Sequence, residues 1–225
     1  MSTSKPRILL SWSSGKDSAW TLHVLRKLPE VQVVGLLTSF NESNDRVAMH
    51  GVRRELVEAQ AAAAWLPLVP VMLPSPCPNT YYERRMREAL AGPKATGVTH
   101  VAFGDLFLED IRAYRVRLLE GTGLEPLFPI WTSVEETPAL ARRMLASGLG
   151  AVLTCVDPKQ LSERFVGRRF DEALLAELPV TVDPCGERGE FHTFCDRCPE
   201  FRWPVAAHVG EPIERGGFWF VDLRP

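Results

Sequence analysis

Apolar and polar positions fall along this chain in blocks whose period changes from one block to the next. Residues 7–12 and 31–38 (VQVVGLLT) are apolar almost throughout, as expected of parallel strands buried on both faces. The stretch between them reads as a helix ending near residue 28. From 47 to 65, Met49, Val52, Leu56, Ala59 and Ala63 recur at steps of three and four, the spacing of one helix face. Residues 68–73 predict a third strand, 80–90 a helix with Arg84, Arg85, Arg87 and Glu88 outward, and 100–104 a fourth strand. A helix over 108–119 and a fifth strand over 124–128 follow. This alternation predicts an α/β fold, a doubly wound five-stranded parallel sheet with helices on both faces. Two prolines refine the topology. Pro70 and Pro126 sit inside strands three and five, and proline cannot donate to a ladder, so both belong on edges. The order 3-2-1-4-5 satisfies that. It sets strands one and four side by side at the switch point, where ligands bind beyond the strand ends.

The pattern shifts after residue 131. A helix over 135–147 leads to an apolar strand over 151–156, then a short helix near 171–177 and a β-rich end, GGFWFVDL. This predicts a smaller C-terminal α+β domain, dividing the chain into 1–131 and 132–225. No internal repeat or low-complexity tract interrupts either part.

Composition narrows the classes. With 225 residues and 45% hydrophobic content, the chain can build a real core. No apolar run approaches a membrane span, and MSTSKPR leads into a strand without a signal-peptide h-region. The expectation is a cytoplasmic protein with no membrane partner. A net charge of −2, with both signs interspersed, argues against a broad nucleic-acid surface. Five cysteines without an export signal read as reduced thiols.

The chemistry concentrates in SWSSGKDSAW, residues 11–20, between strand one and the first helix. A helix N-terminus offers unpaired N–H groups and a positive dipole end. Gly15 permits close approach of an anion, Ser13, Ser14 and Ser18 add hydroxyls, and Lys16 neutralises phosphate charge. Asp17 suits Mg²⁺ rather than phosphate. Helix capping alone explains any one serine but not the series. A Walker A loop is excluded, because Leu10 and Asp17 stand where it needs glycine and Ser or Thr. FGD (103–105) ends strand four, so Gly104 and Asp105 share the crevice with this loop.

S-x-G-K-D-S in this position resembles the PP-loop of the ATP pyrophosphatase superfamily, whose sheet is adenine nucleotide alpha hydrolase-like. The usual form is S-G-G-x-D-S, so Ser14 replaces a glycine and is strained if the position needs a positive φ. With MHGVR (49–53) and DPCGERGEFHTF (183–194), the chain is similar to the diphthine–ammonia ligase family and its bacterial relatives. The resemblance runs from about Ile8 to the C-terminus. It implies an ATP-dependent, AMP-forming ligase that adenylates a carboxylate and amidates it with ammonia. It also implies ATP and Mg²⁺, an unidentified carboxylate acceptor, an ATP-binding first domain and an acceptor-binding second one. A homodimer is compatible with it.

By this resemblance the nucleotide contacts are Ser11, the loop from Ser13 to Ser18, Thr38, His50, Gly51, Gly104 and Asp105. Adenine is expected by Leu10, Ser11 and Thr38. Mg²⁺ is expected on Asp17, with Asp105 in reach. Asp183, Cys185, Gly186, Glu187, Glu190, His192 and Thr193 are the acceptor-side candidates. Lys16, Asp17, Glu190 and His192 are the catalytic ones, a glutamate or His192 taking a proton from ammonium. Read without the resemblance, DPCGERGEFHTF is equally a tight turn entering a strand. Cys195 and Cys198 form CDRC, a departure from the family pattern. Zinc there needs four ligands, with Cys185 and His192 nearest in sequence, and incidental thiols are the simpler reading. Two other functions stay open. A PP-loop tRNA-modifying enzyme needs a basic surface or a nucleophilic cysteine, which keeps Cys77, Cys155 and Cys185 in view. A non-catalytic ATP sensor has no need of Lys16, Asp17 and Ser18 together.

Overall fold

The computed structural model describes residues 5–225. Its first part runs β1 (Arg7–Ser11), α1 (Lys16–Arg26), β2 (Gln32–Asn41), β3 (Arg46–Val47), α2 (Arg54–Ala64), β4 (Leu68–Leu73), α3 (Asn79–Ala95), β5 (His100–Ala102), α4 (Glu109–Leu119) and β6 (Glu125–Leu127). Side chains alternate across β1. Ile8 and Leu10 join α1 and α2 on one face, while Leu9 joins Met86 and Leu90 of α3 and Leu118 and Leu119 of α4 on the other. The parallel order is β4-β2-β1-β5-β6, the order the prolines predict. Pro70 lies on edge strand β4 and Pro126 on edge strand β6.

The helix expected from residue 47 begins only at Arg54. β2 continues to Asn41 and turns back as β3, which pairs with Phe40 and Asn41. Those two residues pair with β4 on their other edge, so β3 occupies the β1 side, beyond the end of β1. Met49 (φ 60°) and Gly51 (φ 66°) then take left-handed conformations that no α-helix admits. Met49 is half exposed, so its match to the helical period was coincidental.

The second part holds α5 (Thr137–Ala146), β7 (Gly150–Val156), α6 (Glu172–Glu177), β8 (Phe191–Arg197), β9 (His208–Arg215) and β10 (Phe218–Arg224). Its four strands form an antiparallel sheet ordered β8-β7-β10-β9. Every residue of β7 is buried. One hydrophobic cluster joins Leu10, Trp12 and Leu22 to Val152, Leu153 and Phe194, so the second sheet packs on the first. Asp222 of β10 fastens the two parts. Its carboxylate accepts from Arg53 (2.9 and 2.8 Å) and Arg46 (2.8 Å), and these guanidinium groups, Arg53 first, hold it well below the usual carboxylate range. Arg46 also donates to the Gly51 carbonyl at 2.7 Å, which pins the turn that carries His50. Among the described residues no helix is long and apolar enough to cross a membrane.

Candidate active site

The loop after β1 is held from three directions. Trp12 N–H donates to the Leu37 carbonyl (2.8 Å), prolonging the ladder. Thr38 Oγ1 donates to the Trp12 carbonyl at 2.8 Å. Gln60 of α2, fully buried, accepts from Trp12 Nε1 (2.8 Å) and donates through Nε2 to the carbonyls of Ser14 (3.0 Å) and Cys195 (2.6 Å). The Cys195 N–H closes the bracket on the Ser14 carbonyl at 2.8 Å, so β8 docks directly against the loop. Ser14 is thereby fixed at φ 71°, with its hydroxyl buried and unpartnered. Both features cost stability in a serine and neither in a glycine. Ser14→Gly is expected to stabilise the protein by about 1–2 kcal/mol, read as a higher urea midpoint at unchanged slope.

Gly15 is extended, and its need for glycine is steric. A Cβ there would lie 2.9 Å from His50 Cε1 and 3.1 Å from the Thr193 carbonyl oxygen. α1 starts at Lys16, whose N–H donates to Thr193 Oγ1 at 3.1 Å. The Lys16 ammonium, 2% exposed, donates to both oxygens of Asp17 (3.0 and 2.9 Å) and to the Cys185 carbonyl. Burial works against its charge, but Asp17, Cys185 and Asp183 together outweigh this and its pKa lies above the ordinary lysine value. A Cβ at Gly104, after β5, would be crowded too, with Thr21 Oγ1 at 3.0 Å and the Asp17 backbone at 3.2 Å.

These elements wall a groove at the C-terminal end of the parallel sheet. One cavity of about 240 Å³ is lined by Lys16, Asp17 and Ser18, by Gly104 and Asp105, and by Gly186, Glu187, His192 and Thr193. A second of about 250 Å³ opens among Leu37, Ser39, Val47, Met49, Tyr82 and Met86. Ser11, Ser13, His50, Arg115 and His192 border both, so the two are one groove.

Burial raises the pKa of two of its acids, Asp17 and Glu187. Glu187 Oε1 accepts from the Leu106 N–H at 2.7 Å. Burial, then the charges of Asp17 and Asp105, raise the Glu187 pKa to about 8. His50 donates through Nδ1 to the Thr193 carbonyl (2.9 Å), and its ring lies 4.7 Å from that of His192. Burial lowers His50 to about 4 and His192 to about 3, so both are neutral at pH 7. The signs oppose. Folded Glu187 keeps a proton that the unfolded chain loses near pH 4.3, so stability falls as pH rises from there to about 8. The unfolded chain binds protons at the histidines below about pH 6.5, so their contribution falls as pH falls from 6.5 toward 3. Glu187→Gln is expected to match wild-type stability near pH 4.5 and exceed it by about 2 kcal/mol at pH 8, measured by urea denaturation at both pH values.

Four expected site residues lie elsewhere. Glu190 is buried, and its carboxylate accepts from the backbone N–H groups of Asp183 and Arg188 (both 2.9 Å). It braces the 183–190 turn and does not line the groove. Thr38 points away from the adenine-sized cavity; strand alternation puts Leu37 and Ser39 there instead. Leu10 is wholly core. Gly51 packs under Phe220 outside the groove. Asp183 and Cys185 act through the backbone turn. Asp183 Oδ2 accepts from the Glu187 N–H (2.9 Å), the Cys185 carbonyl meets Lys16, and Gly186 (φ 69°) has no room for a Cβ beside Phe191. The thiols of Cys195 and Cys198 donate to separate carbonyls, of Arg197 and Ala19. Among the described residues no three His, Cys, Asp or Glu side chains converge to hold a metal unaided. The spacing did not reveal Gln60 or Arg115. Gln60 had a signal, a lone amide on the apolar face of α2 beside Leu56, Ala63 and Ala64.

A parallel sheet that feeds S-x-G-K-D-S into a helix N-terminus at its switch point defines a PP-loop protein, of an enzyme class that uses ATP. The chain belongs to the family of the diphthamide synthase N-terminal domain, whose model matches residues 6–126. It is 29% identical over 112 residues to diphthine–ammonia ligase of Rattus norvegicus, a match covering 47% of this chain and 41% of that protein. The chain thus spans less than half the length of that relative.

Proposed function

We propose that this protein is an ATP-dependent, AMP-forming ligase that activates a carboxylate as its adenylate and transfers the acyl group to ammonia. One observation carries the reading: the groove faces the loop residues Lys16, Asp17 and Ser18 with Glu187 and His192 from the second part of the chain. The division after residue 131 then separates an ATP-binding part from an acceptor-binding part. Lys16 and the start of α1 bind and orient the pyrophosphate end of ATP. Neutral His192 and His50 line the reacting centre as hydrogen-bonding groups; at a pKa near 3, His192 is too weak a base for ammonium. Glu187 is the better proton acceptor, acting through its ionised fraction, which grows as pH approaches its pKa of about 8. Mg²⁺ fits the donor set, because Asp17 and Asp105 line one groove, and this ion takes one or two carboxylates beside phosphate oxygens. When bound, it offsets phosphate charge.

The cysteines favour this reading over tRNA thiolation. Cys155, Cys185, Cys195 and Cys198 are buried with thiol pKa values raised by burial, and no cysteine lines the groove. The test is product analysis of the protein with Mg-ATP, ammonium and a pool of cell carboxylic acids. AMP, pyrophosphate and a new amide are expected. ADP and phosphate would overturn the proposal.

A further inference from the structure

The groove holds two cations that are not equivalent. Lys16 is buried at the loop, where it donates to Asp17 and the Cys185 carbonyl. Arg115, from α4, is engaged mainly on one side. Its Nε meets Asp105 Oδ2 at 3.3 Å, and its Nη1 stands 3.5 Å from the Tyr82 hydroxyl. Its Nη2 has no hydrogen-bond partner among the described residues. The Phe103 ring, 5.1 Å away, supports the guanidinium plane. A guanidinium braced through Nε offers its outer edge to an anion, and that edge matches two oxygens of one phosphate.

Position decides which anion. Lys16, Asp17 and Ser18 border only the first cavity, while Leu37, Val47, Met49 and Met86 border only the second. Arg115 borders both. Neither cavity alone reaches the ~300–1,000 Å³ usual for a ligand site. ATP with its pyrophosphate at the loop and its adenine among the apolar side chains fills both and crosses the boundary at its α-phosphate.

We infer that Arg115 is a catalytic residue that grips the α-phosphate of ATP and stabilises the charge developing there. In the step it assists, a carboxylate oxygen bonds to the α-phosphorus. The bond from that phosphorus to the bridging oxygen breaks, and pyrophosphate leaves with the electron pair. Arg115 transfers no proton. The inference rests on the proposal that ATP occupies this groove.

AMP and adenosine differ by this one phosphate, so calorimetric affinities for both, on wild type and Arg115→Gln, isolate the contact. Arg115→Gln is expected to lose about 10–100-fold in AMP affinity, to bind adenosine as wild type does, and to release pyrophosphate about 100-fold more slowly. Arg115→Lys keeps a charge for Asp105 and is expected to retain the wild-type melting temperature while recovering only part of the AMP affinity. Equal AMP affinity in wild type and Arg115→Gln would overturn the inference alone. So would a parallel loss of adenosine affinity, which marks a structural role. A wild-type protein that binds ATP nowhere overturns the groove reading and this inference together.

Discussion

Asp17→Ala is expected to lower the rate of AMP release from ATP by about 10³-fold or more, the scale of losing a group that stabilises transition-state charge. It is also expected to cost stability, because Asp17 is the counter-ion of a lysine only 2% exposed. Without it, the ammonium keeps the Cys185 carbonyl and the faces of Phe191 and Phe170, at 5.4 and 5.6 Å. Breaking a buried pair by removing one partner costs about 3–5 kcal/mol, and the partial exposure of Asp17 (26%) lowers that to about 2 kcal/mol. Asp17→Asn separates the two effects. Its amide oxygen still accepts from Lys16, so most of the stability is expected to return while turnover stays near the alanine level. Urea denaturation and AMP release, measured on both variants, check this. If Asp17→Asn turns over at more than about a tenth of the wild-type rate, the carboxylate charge is not what the reaction uses.

The sheet was legible because its signals are local and physical. An apolar run buried on two faces, a proline without a donor and a serine-rich junction each restrict topology by themselves. The site was legible only at the level of segments. Within DPCGERGEFHT the two glutamates carry the same charge three residues apart, and nothing in the string says which one faces inward. The fold decides it. Gly186 and Gly189, both at positive φ, wind the turn so that Glu190 satisfies its backbone and Glu187 reaches the Leu106 N–H. Thr38 lies outside the second cavity for a simpler reason, a strand parity that depends on where the ladder with β1 begins. The start of α2 failed because hydrophobic period cannot see the left-handed turn at Met49 and Gly51.

Gln60→Leu is expected to be among the most destabilising single changes in the chain, at about 3–5 kcal/mol, although Gln60 itself lines neither cavity of the groove. Leucine leaves the Trp12 indole N–H and the Cys195 carbonyl without their buried partner and removes one of two donors from the Ser14 carbonyl. The volume is nearly kept, so the loss is one of hydrogen bonds rather than packing. The same bracket holds Ser14 in its left-handed conformation. A loop freed from Gln60 can relax toward negative φ, and the gain expected from Ser14→Gly then shrinks. In a double-mutant cycle, Ser14→Gly is expected to stabilise the Gln60→Leu background by about 1 kcal/mol less than it stabilises wild type. Strict additivity of the two changes would mean that the loop is set by β8 alone, through the Cys195 N–H. The coupled outcome makes the buried amide what maintains a strained serine at the head of the groove, so that binding of ATP does not have to supply that order itself.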